Sequence, residues 1–276
     1  MQTIKIQCPA KINLNLKITG QLENGFHSIE SVMQTISLYD YLTINVENSN
    51  KNEIILSGDS KDIPYDETNL VYKAAKLYLD STSIKNKKIS IYIEKNIPAA
   101  AGMAGGSTDG AGVLYGLNEL FACLDAKQID KLCAILGSDL NVCLHGGRVL
   151  AKGRGEIITP LEFEDFNVSL IKPISLGISA KEAYTKFSRK NNTPPAALRA
   201  NSPCKGAEGR EDYENDLEWA VIDDYPQLQY IKQKYPKSVM TGSGSTYFMI
   251  DDEFEQEEGY WVKNNLKSVN FGVREV

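Results

Sequence analysis

The chain has 276 residues, 42% of them hydrophobic, and a formal net charge of −6, enough to bury a core in one large domain or two moderate ones. Lys and Arg are scattered, with no basic stripe for nucleic acid, and no apolar run approaches the ~20 residues of a membrane span. Five cysteines without a CxxC pair fit no closed disulfide framework, and two histidines argue against a His-rich zinc site. The opening MQTIKIQCPAKINLNL lacks a basic region followed by an apolar block, so no signal peptide is expected and a cytoplasmic, reducing setting is.

In KINLNLKI, Ile12, Leu14, Leu16 and Ile18 alternate with Lys11, Asn13, Asn15 and Lys17. That period of two predicts a strand with Lys11 and Asn13 on the face opposite the core. IESVMQTISL, YLTINV and EIIL read as further strands, and NLVYKAAKLYL as a helix with Leu70, Ala74 and Leu77 on one side. KISIYIE returns to strand spacing and runs straight into IPAAAGMAGGSTDGAGVL. Beyond it Val113, Leu117, Leu120 and Leu124 mark a helix, with Ser107, Thr108 and Asp109 where a cap is expected. A second helix spans Asp125 to Leu136, and GSDLNVCLHGGRVLAKGRGE holds short strands punctuated by glycine. Past Pro160 come the strand NVSLIKP, a helix from Ser179 to Arg189, and a polar loop without period from Lys190 to Arg210. Helices near Asp216 and Tyr225, the loop MTGSGST between strand-like runs, a last helix from Glu253 to Leu266 and a closing strand complete the chain. Strands and helices mixed without strict βαβ alternation predict an α+β protein.

The small-residue stretch between a strand and a helix poses the functional question. Backbone N–H groups at a helix start, with the helix dipole behind them, suit an anion such as phosphate. The stretch is neither a Walker A motif nor a Rossmann fingerprint, so on its own a structural turn explains it as well. MTGSGST alone reads as a tight hairpin turn. Asp139, after Gly137-Ser138, reads as a helix cap or turn residue unless a cation such as Lys11 lies nearby.

Taken together, these segments resemble the GHMP kinase superfamily and, within it, the 4-diphosphocytidyl-2-C-methyl-D-erythritol kinase family. The family's Pro-Ala-Lys-[Ile/Leu]-Asn-Leu run corresponds to PAKINL, its Asp-Gly-Tyr-His to NGFH, and its glycine-rich loop to PAAAGMAGGST. Its Gly-[Ser/Ala]-Asp-Val-Pro-Phe segment corresponds to GSDLNVCL and its closing Ser-Gly-[Ser/Thr]-Gly loop to TGSGST. TNLVYKAAKLY, GRGE and NDLEWAV fall in the same order, so the resemblance covers nearly the whole chain.

The resemblance implies a two-lobed α+β fold. Residues 1–159 would form an N-terminal lobe like the second domain of ribosomal protein S5, and residues 160–276 a ferredoxin-like C-terminal lobe. It also implies ATP as phosphoryl donor, Mg2+ without an assignable protein ligand, and a small-molecule acceptor, cytidine diphosphate methylerythritol, in isoprenoid biosynthesis. Asp139 would be the general base for the 2-hydroxyl, Lys11 would stabilise charge as the phosphoryl group moves, and Asn13 would orient the substrate. Pro98, Ala99, Ala100, Ala101, Gly102, Met103, Ala104, Gly105, Gly106, Ser107 and Thr108 would wrap the ATP phosphates, and Asn69 would approach the adenine. His27 would bond the cytosine between Phe26 and Tyr184, while Gly242, Ser243 and Gly244 would close over the phosphates.

The chain departs from the family pattern at several places. Met103-Ala104 stands for Leu-Gly, Asn141 and Ser245 stand for prolines, Ala180 for a threonine, Phe26 for tyrosine and Asn24 for aspartate. A kinase of mevalonate or homoserine, or a nucleotide-binding relative without turnover, are the alternative readings. The base-binding set His27, Phe26 and Tyr184 argues against the first, and the pair Lys11 and Asp139 against the second.

Overall fold

Strands β1 (Gln2–Asn13) and β3 (His27–Asn48) form the spine of an eight-stranded sheet. The computed structural model describes residues 1–23, 25–190 and 213–276. The two strands pair antiparallel, with a register shift at Pro9/Ala10, where proline has no N–H to give to the ladder. β3 is one strand of 22 residues, although the sequence suggests two pieces. Leu38, Leu42, Ile44 and Val46 face the core, and Asp40 occupies an inward slot of the same alternation. A charge at a core position made the run look broken; Lys95, described below, is what allows it to continue.

From β3 the sheet extends through β5 (Lys87–Glu94) to β4 (Glu53–Gly58), which runs parallel to β5, and on the other side through β1 to β12 (Arg274–Glu275). β2 (Lys17–Gln21) and β6 (Arg148–Gly153) pair with the first part of β3, and β7 (Ile157–Pro160) pairs with β6. The expected strand KINLNLKI is thus split between β1 and β2, where the Asn15 side chain accepts from the Val32 N–H at 2.7 Å.

Helices α1 (Leu70–Asp80), α2 (Gly105–Phe121), α3 (Ala126–Leu136) and α4 (Leu140–His145) form a core with the inner face of this sheet, where Ile6, Ile44 and Ile89 meet Val113, Leu117 and Ile129. The buried face of α1 is Val71, Ala74, Ala75, Tyr78 and Leu79, so Leu70 and Leu77 flank it rather than centre it. α2 lies unusually close to the sheet: a Cβ on Gly112 would stand 2.5 Å from Cys8 Sγ, and one on Gly116 2.8 Å from Ile44 Cδ1. Part of the small-residue run therefore serves packing, and its cost in helix propensity, about 1 kcal/mol per glycine, is offset by close contact.

The second sheet has the order β11 (Tyr260–Lys267), β8 (Asn167–Pro173), β10 (Tyr247–Ile250), β9 (Val239–Met240), all antiparallel. Its core joins Ile171 and Met249 to Ala183 and Phe187 of α5 (Ala180–Arg189), Leu217 of α6 (Asp216–Val221) and Ile231 of α7 (Pro226–Lys234). A third cluster joins the two sheets, Ile12, Ile36, Ile97 and Met103 meeting Phe166, Leu170 and Phe248.

The helix expected from Glu253 to Leu266 is absent, and β11 stands there instead. The Glu-rich start suggests helix, but Gly259 takes φ +81° and Tyr260-Trp261-Val262 then pairs with Pro173-Lys172-Ile171. Asn24 and the expected loop beyond Lys190, including Cys204, lie outside the described residues. Among the described residues Cys8, Cys133 and Cys143 are buried free thiols and Cys123 an exposed one. No described helix is long and apolar enough to cross a membrane.

Candidate active site

A cavity of about 940 Å³ is lined from both sheets' sides, by β1, the loop before α2, the loop before α4, the start of β3, the start of α5 and the loop after β9. Lys11, at the end of β1, is 3% exposed yet faces this cavity rather than the solvent side of a strand. Its ammonium donates to Asn13 Oδ1 at 2.7 Å and to Gly102 O at 3.0 Å, and lies 3.5 Å from Asp139 Oδ2. Asn13 is fixed in turn, its amide donating to Ser31 Oγ at 2.8 Å. Alternation along β1 put both residues on one face, as the sequence suggests; that face is an interior cleft.

Asp139 stands at the N-cap of α4, but its side chain makes no capping bond, so its carboxylate is left for Lys11 and the cavity. With 30% of its side chain exposed, it is open to an incoming group. Tyr184 is close enough that, after burial, the Asp139 charge is what raises its phenol above the ordinary value.

The small-residue loop turns sharply into α2. Ala100 (φ 48°), Gly102 (φ 75°) and Ala104 (φ 59°) take left-handed backbone conformations. For alanine this costs about 1–2 kcal/mol relative to the right-handed form. The helix begins at Gly105, and its first internal bond is from Thr108 N–H to Ala104 O at 2.9 Å. The N–H groups of Gly105, Gly106 and Ser107 precede that bond and are the helix's free donors. Ser107, Thr108 and Asp109 are therefore inside the helix and do not cap it. A Cβ on Gly102 would lie 2.1 Å from Thr241 O, and one on Gly242 2.6 Å from Gly102 O. The two glycine-bearing loops are in backbone contact, and Thr241 Oγ1 accepts from Asn13 N–H at 2.9 Å to complete the junction.

Of the residues expected at the phosphates, Pro98 to Gly102, Ala104 to Ser107, Gly242 and Ser243 line the cavity. Met103 does not: its side chain is buried among Ile12, Ile97 and Phe248. Thr108 is fully buried one turn into α2, and Gly244 packs on Met240, where a Cβ would meet Sδ at 2.6 Å. Asn69 lines the cavity, but its side chain caps α1, accepting from Val71 N–H at 2.9 Å and donating to Pro64 O at 2.6 Å.

At the other end His27 stacks on Tyr184, ring centroids 5.2 Å apart and 18° between planes, and shares a hydrogen bond with Ser188 Oγ at 3.0 Å. Phe26 is 56% exposed. Phe26 and Tyr184 both line the cavity, and the ring stacked on Tyr184 is that of His27.

The GHMP kinases N terminal domain family matches residues 69–147, from the α1 cap to the glycine after α4. A 4-diphosphocytidyl-2-C-methyl-D-erythritol kinase of Clostridium tetani (strain Massachusetts / E88) is 39% identical over 256 residues, 89% of this chain and 90% of its own. The chain belongs to the 4-diphosphocytidyl-2-C-methyl-D-erythritol kinase family. A Synechococcus relative of the same name (strain JA-2-3B'a(2-13)) is 37% identical over 92% of this chain and 87% of its own. A crystal structure of 4-(cytidine 5'-diphospho)-2C-methyl-D-erythritol kinase matches with a TM-score of 0.72 at 26% identity, covering 96% of this chain and all of that one. Homoserine kinase from Cytophaga hutchinsonii, at 16% identity and a TM-score of 0.71, shares the fold. The fold is thus the two-lobed α+β fold of GHMP kinases.

In this family member the cavity wall also includes Lys95 and Arg154, to which no motif in the sequence assigns a role. Lys95, between β5 and the glycine-rich loop, pairs with Asp40 and, at 3.0 Å, with Asp109, all three side chains at most 6% exposed. Asp40 also accepts from the Asn96 and Ile97 N–H groups at 2.6 and 2.8 Å. Burial pushes the Asp109 carboxyl up to about 7, Lys95 opposing and Asp40 adding to the rise. The available signal was an aspartate at an inward strand position and a lysine just before the loop. Arg154, quoted within GRGE without a role, also reaches the cavity.

Proposed function

We propose that the chain transfers the γ-phosphoryl group of ATP to the 2-hydroxyl of 4-diphosphocytidyl-2-C-methyl-D-erythritol, in the methylerythritol phosphate route to isopentenyl diphosphate. The observation that carries this reading is the Lys11–Asp139 pair, 3.5 Å apart, in a cavity shared with a free-donor helix start and the His27–Tyr184 pair. Phosphoryl transfer asks for positioning and charge stabilisation more than covalent chemistry, and these residues supply both.

Asp139 accepts the proton of the 2-hydroxyl; it is exposed enough to be reached and unspent on capping. Lys11 stabilises negative charge between that hydroxyl and the loop, its ammonium aimed by Asn13 Oδ1 and Gly102 O. The N–H groups of Gly105, Gly106 and Ser107 hold the phosphates, which the small side chains of Ala99, Ala100, Ala101 and Ala104 and the bare Gly102 leave room to admit. Gly242 and Ser243 close the site from the other lobe, and Asn69 shapes the rim where the adenine enters. His27 bonds the cytosine, and the exposed Phe26 ring offers it a stacking face. We place the lobe boundary after residue 159, one residue before β7 ends at Pro160 and the chain crosses to the second sheet, and the protein in the cytoplasm.

No group of three or more His, Cys, Asp or Glu that could hold a metal occurs among the described residues. Magnesium, which the kinase reading implies, would arrive held mainly by the triphosphate and water.

A coupled ADP-release assay, offering the cytidine diphosphate substrate, mevalonate and homoserine in turn with magnesium and ATP, tests the reading. Turnover with the cytidine substrate alone is expected. Turnover with mevalonate or homoserine instead would keep the phosphate-loop argument and remove the base-binding one.

A further inference from the structure

The acceptor assigned above carries a diphosphate between its cytosine and the hydroxyl that reacts, and two negative charges must pass through the cavity between His27 and Asp139. We infer that Arg154 is the residue that holds this diphosphate, an assignment that rests on the cytidine diphosphate reading. The other cavity cations on β1 and beside the loop are committed: Lys11 to Asn13, Gly102 and Asp139, and Lys95 to Asp40 and Asp109. Lys181 lines the cavity from the exposed first turn of α5.

Arg154 differs from these in how it is mounted. It sits in the turn between β6 and β7, closed by Gly155 N–H to Lys152 O at 3.1 Å. Glu156 accepts from the Arg154 backbone N–H at 2.7 Å and from its Nε at 3.4 Å, which orients the guanidinium by one edge. Its terminal amino groups make no hydrogen bond with a described residue. The turn is also tied to the catalytic end of the cavity. Asn141 Nδ2 donates to Glu156 O at 3.2 Å, and a Cβ on Gly155 would touch Ser138 Cβ at 3.4 Å. At its other end the guanidinium carbon lies 5.5 Å from the centroid of the Phe26 ring. The turn therefore spans from the loop that carries Asp139, met by Gly155 and Glu156, to the base-stacking residue, met by the Arg154 guanidinium. A diphosphate joining base to acceptor hydroxyl has to run along that span. A guanidinium held by Nε still presents its amino fork, which matches two phosphate oxygens in a way a lysine does not.

The test is equilibrium binding of cytidine and of CDP, with the nucleotide site filled by a non-hydrolysable ATP analogue. Wild-type protein is expected to prefer CDP. Arg154→Gln should weaken CDP by about 10- to 100-fold, the usual worth of a charge-assisted hydrogen bond, and cytidine by far less. Arg154→Lys, which keeps the charge without the fork, should fall between. Equal weakening of CDP and cytidine in both variants would mean that Arg154 acts only through Phe26 and would overturn the assignment, as would an unchanged ratio. If Arg154→Gln does not fold, the ratio in Arg154→Lys decides alone, a reduced preference for CDP supporting the assignment. Wild-type protein that binds neither ligand would instead remove the cytidine reading and this assignment with it.

Discussion

Two lysine–carboxylate groupings border the same cavity and are built differently. Lys11 meets Asp139 at 3.5 Å with the carboxylate 30% exposed, whereas Lys95 is closed between Asp40 and Asp109 with all three side chains at most 6% exposed. The first leaves a carboxylate open to the cavity, as the base of the proposed reaction would need. The second satisfies strand, loop and helix at once: Asp40 belongs to β3, Lys95 follows β5, and Asp109 lies in α2. Where a charge pair is open it can exchange protons with a ligand; where it is closed it fixes the frame that holds the ligand. Two lysine–carboxylate clusters of similar chemistry line one cavity, and burial separates their duties.

That contrast can be broken from either side. Lys11→Met keeps the buried stem and removes the ammonium, so the turnover number should fall by about 10²- to 10³-fold, as for loss of a preorganised donor. Denaturation should show the fold retained. Asp40→Ala should act in the opposite way, as a folding defect. It leaves the Asn96 and Ile97 N–H groups without their acceptor and Lys95 with one carboxylate. A loss of about 3–5 kcal/mol in urea-induced unfolding is expected.

Asp109 sharpens the comparison through pH. Because burial first, and Asp40 after it, raise its folded pKa from 3.8 to about 7, the folded chain keeps a proton that the unfolded chain has released. Its contribution to stability is complete below about pH 4 and is lost as pH rises through 7. Asp109→Asn removes this titration. The stability of wild type relative to the variant should therefore decline between pH 4 and pH 7 and level off above, as read from denaturation at a series of pH values. A flat difference would place the carboxyl's pKa near its ordinary value. Ala104→Gly should have the smallest effect, a gain of about 1 kcal/mol from relieving a left-handed alanine at φ 59°. Its thermal melt would show it.

The sequence made much of this legible and hid the rest for physical reasons. PAKINL, PAAAGMAGGST and GSDLNVCL carry backbone demands that only certain residues meet, so Lys11, the loop and Asp139 could be named and are brought together. Met103 and Thr108 lie in PAAAGMAGGST and Gly244 in TGSGST, yet all three face away: Met103 into the core between the sheets, Thr108 inside α2 and Gly244 onto Met240. The β11 segment misled because its Glu-rich approach has helical propensity, while pairing with β8 decides the outcome. Lys95 and Asp40 are 55 residues apart in sequence, and no local spacing reveals that they meet.

If the open pair performs the proposed chemistry and the closed one only holds the frame, the two carboxylates must differ in the transfer step itself. Single-turnover phosphoryl transfer to the cytidine diphosphate substrate, measured by rapid quench in wild type, Asp139→Asn and Asp109→Asn, tests it directly. A loss of about 10²- to 10⁴-fold is expected for Asp139→Asn and a far smaller one for Asp109→Asn, with ATP binding kept in both. A wild-type rate in Asp139→Asn, or a larger loss in Asp109→Asn, would contradict this division of duties.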